Sequence, residues 1–130
     1  MKAALPGWAW DILVAEERRY RLPEIQIRWR VGRDQNHQTS GRAFPLEYRI
    51  VITAGTDERD QRLMLLHELA HVVAGPTHGH GARLTPVVES LYARYGLTDY
   101  AAQRERMVRL LSRPEVRRLL SRDDVTRPPN

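Results

Sequence analysis

The chain of 130 residues contains no cysteine. That excludes a disulfide framework and a cysteine zinc ribbon alike. No apolar run approaches the roughly 20 residues that a membrane-crossing helix requires. Lysine is almost missing, since Lys2 is the single lysine among 21 basic residues and all the others are arginine. A skew of that kind reflects the base composition of a genome as readily as a function. The net charge of +5 and the isoelectric point near 10.2 are therefore weak pointers to a polyanionic partner. The opening MKAALPGWAWDILVAEERRY carries one lysine, then tryptophans, an aspartate and a glutamate pair, which is not the order of a signal peptide. There is no internal repeat and no linker. With 42% hydrophobic and 28% charged residues the composition is that of an ordinary globular protein. The expectation is one folded cytoplasmic domain over 1–130, with a core at about 8–95 and a helical extension over 96–122.

What is present reads as α+β. Residues 8–21 suit a helix with Trp8, Ile12 and Ala15 on one stripe and Glu16, Glu17, Arg18 and Arg19 outside it, stopped by Pro23. EIQIRWRV alternates strictly, with Ile25, Ile27, Trp29 and Val31 on one face, and predicts a half-buried strand. Gly32 to Gly41 is polar and turn-rich, suiting either a long hairpin connection or a short middle strand between loops. LEYRIVIT alternates again through Leu46, Tyr48, Ile50 and Ile52, a second long strand in a short antiparallel sheet of about three. The period then changes to that of a helix, capped by Thr56 or Asp57 and ended by Gly75-Pro76, with Leu63, Leu66, Ala70 and Val73 recurring. Thr85-Pro86 predicts the start of a further helix that runs to about Tyr95. Residues 98–121 predict one or two more, broken near Pro114.

Four of the five histidines lie in LMLLHELAHVVAGPTHGHGARL, and His67, Glu68 and His71 form the pattern H-E-x-x-H. Residues four apart on a helix project from one side, so two imidazoles can chelate a single Zn²⁺. Glu68 leaves the helix about 100° round from His67, placed to take a proton from a metal-activated water as it attacks a carbonyl. The alternative is two histidines that share a helix face by chance. From this chain's His and Glu counts the pattern arises by chance on the order of once in a hundred such sequences. Its apolar surround also argues against a solvated stripe, because burying these groups without a partner is costly.

A catalytic zinc site takes a third protein ligand. A histidine six residues after the second is ruled out, because that place is Thr77. Glu89, eighteen residues after His71, is near the spacing of a glutamate on a following helix, and His78 and His80 also remain. Spacing does not separate these three.

GHGARL after HELAHVVAGP resembles the SprT-like and WLM metalloprotease families, the group that includes Spartan. There the motif is followed, after a variable loop, by a histidine that opens a helix in an H-G-x-x-aromatic context. His80-Gly81-Ala82-Arg83-Leu84 is similar to that frame, with Leu84 in the aromatic place. Gly75-Pro76 is similar to the G-P of the WLM version, with Thr77 to Gly79 as an insertion. TSGRA, Thr39 to Ala43, is similar to the T-A-G-x-A stretch of the SprT-like fold. The resemblance covers roughly Trp8 to Tyr95. It implies a small zincin-like domain, a zinc metallopeptidase acting on protein or peptide, and His80 as the third ligand. The accessory ribbon and DNA-binding extension of larger members are missing here, so a DNA-dependent role does not carry over.

A donor for the oxyanion or substrate is sought among His78, Arg83, Tyr92 and Tyr95. Arg109, Arg113 and Arg117, in the arginine-rich C-terminal helices, are candidate nucleic-acid contacts, against the simpler reading of a solvated face. A second function class, a non-catalytic zinc-stabilised regulatory or binding module on the same fold, is weighed against hydrolysis; Glu68 would have no task in it. If the resemblance holds, His80→Ala loses most of the bound metal, His78→Ala keeps it and Glu89→Ala loses little, as read by metal analysis of the purified variants. Retention in His80→Ala with loss in Glu89→Ala reverses the assignment.

Overall fold

A computed structural model describes residues 5–32, 38–76 and 81–119. His78 and His80, two of the three candidate third ligands, lie outside them, as does His37. The chain divides into two compact units, Met1–Leu97 and Thr98–Asn130. The first is α+β, with the element order α1 (Gly7–Arg19), β1 (Gln26–Val31), β2 (Ser40–Phe44), a 3-10 turn (Pro45–Glu47), β3 (Arg49–Ala54), α2 (Glu58–Ala74) and α3 (Leu84–Arg94). The second holds α4 (Thr98–Leu111), none of whose residues is buried, and a further helical stretch over 114–119 that begins at Pro114.

The sheet is mixed, which corrects the expectation of an antiparallel one. Its order is β1-β3-β2, with β1 parallel and β2 antiparallel to β3. The reason lies in which strand can tolerate the centre. In RIVITA, Ile50, Ile52 and Ala54 are buried and the residues between them half-buried, so it covers both faces. A meander in chain order would instead have centred SGRAF, whose serine, glycine and arginine are exposed. Charged, short strands belong at edges. The connection between β1 and β2 is pinned at both ends over the end of β3: the Gly32 N–H donates to Ala54 O at 2.9 Å and the Gly55 N–H to Thr39 Oγ1 at 2.9 Å.

Two strand boundaries also differ from expectation. The alternation through Leu46 and Tyr48 is not strand, because Pro45 opens a 3-10 turn and Tyr48 takes a left-handed backbone conformation at φ 48°. Leu46 is left 81% exposed. Val31, expected inside, is 78% exposed at the end of an edge strand. Its neighbours Ile27 and Trp29 are half-buried, and Trp29 meets Trp8 of α1 edge-on at 5.7 Å.

Helix α2 is held at its start by Asp57, whose carboxylate accepts from the Arg59 N–H at 2.8 Å, and it ends at Gly75 with φ 82°. Leu65, Leu66 and Leu69 are fully buried, each worth about 1.5–3 kcal/mol of transfer free energy. Thr85 does not cap α3. It is the second helical residue, its hydroxyl donating back to Gly81 O at 3.3 Å, and Arg83 occupies the cap. The far end of α3 closes as a Schellman motif, with Leu97 N–H donating to Tyr92 O and Gly96 N–H to Ala93 O while Gly96 stands at φ 71°.

The stripe of α1 is rotated from the expected one. Ala9, Ile12, Leu13 and Glu16 are buried, and Ala15 is exposed. Glu16, expected outside, is fully enclosed because α3 brings it partners: Arg94 Nη1 donates to its Oε1 at 2.6 Å and the Tyr95 hydroxyl to its Oε2 at 2.7 Å, with Arg19 at 3.4 Å. Removing one member of such a set leaves the others uncompensated. Glu16→Ala should lower the unfolding free energy by about 2–4 kcal/mol, the lower half of that range if water reaches Arg94. Urea unfolding of the two proteins checks it, and an unchanged midpoint would count the cluster as ornament.

Candidate metal centre

His67 and His71 sit one turn apart on α2, with ring centroids 5.0 Å apart and planes at 77°. With Glu68 they form a group whose ligand atoms all lie within 4.8 Å of one another. Among the described residues no other histidine, aspartate or glutamate joins that group. Glu89 is exposed on α3.

Glu68 is buried, with 6% of its surface exposed. The cause is Gly41 on β2. A Cβ there would stand 2.9 Å from Glu68 Cγ, 3.0 Å from Glu68 Oε2 and 2.8 Å from Met64 Cγ. Only a residue without a side chain lets the strand come this near to the helix. Burial favours the neutral form of a carboxyl, and it pushes Glu68 from its ordinary value of 4.5 up to about 7. A group titrating there takes up and releases a proton readily near neutral pH.

The candidate contacts are distributed unevenly. Tyr92, half-buried on α3, is the one that feels the site: burial first, and then the negative charge of Glu68, push its hydroxyl up to about 12. It stays protonated and able to donate. Tyr95 is turned to α1 instead, its hydroxyl held by Glu16. Arg83 is exposed at the cap of α3. In the second unit Arg109 pairs with Glu105 at 2.5 Å, and Arg113 and Arg117 are exposed.

The three motif residues open into a cleft of about 730 Å³. Its opposite wall runs from Gly41 to Glu47, along β2 and the 3-10 turn, and Pro76 borders it past the end of α2. Sequence reasoning missed this wall as a wall. The signal was Pro45, which ends a strand and exposes Leu46 beside the site.

No family model, curated protein or solved structure matches the chain.

Because Glu68 fills the place a Cβ would need, Gly41→Ala should cost about 1–3 kcal/mol by forcing strand and helix apart. Thermal unfolding of metal-free protein reads it; an unchanged melting temperature would mean that Glu68 turns away at no cost.

Proposed function

We propose that the chain is a zinc-dependent metallopeptidase of the SprT-like kind on a small zincin-like fold. The observation that carries this is the gathering of His67, Glu68 and His71 on one helix face, at a cleft whose other wall is a sheet edge. The donor set suits zinc: two imidazoles on successive turns, with a carboxylate beside them. His67 and His71 would hold the ion, and His80 is the third ligand that the SprT-like resemblance implies. Zinc held there would supply Lewis acidity toward a carbonyl and would acidify a water.

The chain's own groups supply the rest. Glu68 takes the proton from the attacking water and delivers it to the leaving amine, the two halves of one general acid–base cycle. Tyr92, whose hydroxyl stays protonated and feels the charge of Glu68, is the candidate donor to the oxyanion that develops on the carbonyl. Strand β2 has one neighbour among the described residues, β3, so its other edge offers backbone groups to an extended polypeptide laid antiparallel to it. Substrate is therefore protein or peptide, and the arginine-rich C-terminal helices keep nucleic acid as a candidate further partner. With this reading goes the cytoplasmic setting; no helix among the described residues is long and apolar enough to cross a membrane.

The alternative of a closed zinc module with a regulatory or binding role gives Glu68 nothing to do, although burying it is costly. Purified protein should carry about one zinc per chain, and His67→Ala and His71→Ala should each lose most of it. Glu68→Gln should keep both metal and fold while hydrolysis of a denatured protein falls about a hundredfold or more. Full metal content in both histidine variants refutes the site, and undiminished hydrolysis in Glu68→Gln refutes the role of the base.

A further inference from the structure

The two faces of β2 do different things. Gly41 and Ala43 stand on the face turned to α2, in rungs with Ile52 and Ile50. Arg42 and Phe44 stand on the opposite face, in rungs with Val51 and Arg49. Arg42 and Phe44, on the outer face of the strand, are nonetheless among the residues that line the cleft. There the Arg49 guanidinium lies 4.0 Å from the centre of the Phe44 ring and that of Arg42 lies 5.2 Å from it. The charges of the two arginines are not equivalent. Arg49 is neutralised by Glu47, whose Oε2 accepts from its Nε at 2.9 Å. Among the described residues no carboxylate pairs with Arg42, and it is exposed.

We infer that Arg42 is a specificity-determining residue that selects extended polypeptide segments with an aspartate or glutamate at the outward-facing position beside it. The inference rests on the reading that substrate adds as a strand to the edge of β2. In such a strand successive side chains alternate between faces, so every second residue points away from α2 and lines up with Ser40, Arg42 and Phe44. A cross-strand neighbour of Arg42 is favoured when acidic and disfavoured when basic. The inward-facing residues meet His67, Glu68 and His71 and carry no such preference from Arg42. The Phe44 ring lies under the Arg42 guanidinium, a contact that lessens the ordering that binding has to supply. The substrate class is thus an acidic segment in which the charges recur at every second residue.

The test uses the full chain carrying Glu68→Gln, so that nothing is cut during binding, and three fluorescein-labelled nonapeptides alternating threonine with aspartate, serine or lysine. Whatever its register, each peptide can set its variable residues outward. Fluorescence anisotropy should give the aspartate peptide up to about fivefold tighter binding than the serine peptide and the lysine peptide weaker binding than either. The differences should shrink at high salt, because the pair is exposed. Adding Arg42→Glu should invert the order and Arg42→Gln should flatten it. Arg30→Glu, the same charge change on β1 at the other edge of the sheet, should leave the order as it was. Equal binding of the three peptides, binding of none, or an inversion by Arg30→Glu as large as that by Arg42→Glu would overturn the inference. The same peptides are then offered to the chain with Glu68 intact and examined by mass spectrometry. Cleavage without regard to charge sinks the role of Arg42 and leaves the peptidase reading standing. Selective binding with no cleavage does the reverse.

Discussion

One close approach governs the first unit: the backbone of β2 against the side chain of Glu68 at Gly41. A side chain at that position would have to displace the strand, Met64 or Glu68 itself. As it is, burial pushes the carboxyl up to about 7, and the strand and the two imidazoles line one cleft. That approach in turn needs β2 at the edge of the sheet and on the side of α2, which it obtains because β3 takes the centre. The distribution of apolar residues over three short strands thus decides how the carboxyl of Glu68 is solvated, several elements away in the chain.

A strand's alternation gives the same edge two unlike faces. Small residues, Gly41 and Ala43, face the helix, and large ones, Arg42 and Phe44, face away. Glu68 and Arg42 then stand on opposite sides of the strand, and a change at Arg42 need not disturb the packing around Glu68. The tight turn at Pro45 to Tyr48 adds to this by ending the strand and carrying the cleft wall on as far as Glu47.

Local features of the fold were legible in the sequence wherever a single residue type has a single local use. Asp57 at the start of α2, Gly75-Pro76 at its end, Gly96 after α3 and Pro114 at the next helical start all mark the boundaries found. The motif's place on a helix followed from the same signals. Partnership between distant segments was not legible. The strict alternation of EIQIRWRV says that one face is covered, but not which strand lies beside it, so a meander was expected where a mixed sheet formed. Leu46 and Tyr48 extended an alternation that Pro45 had already ended. Glu16 looked like surface because helical period alone ranks a charge as exposed, and its burial depends on Arg94 and Tyr95, some 80 residues later in the chain. Likewise Gly41 could be seen as a glycine between strands but not as the point of contact with Glu68.

The two buried carboxylates separate structure from function. Glu16 is fully enclosed and surrounded by compensation, with two arginines and a tyrosine on its two oxygens. Glu68 is nearly as deeply placed, yet among the described residues it makes no ion pair, and the groups beside it are the imidazoles of His67 and His71. A carboxylate buried with partners stabilises a fold; one buried without them destabilises it and persists where it has work to do. Position reinforces the contrast, since Glu16 ties α1 to the end of α3 while Glu68 opens on a cleft beside two imidazoles. Burial alone would have ranked the two alike. Glu68 has no such partners among the described residues and lies beside a pair of histidines that could hold a metal ion.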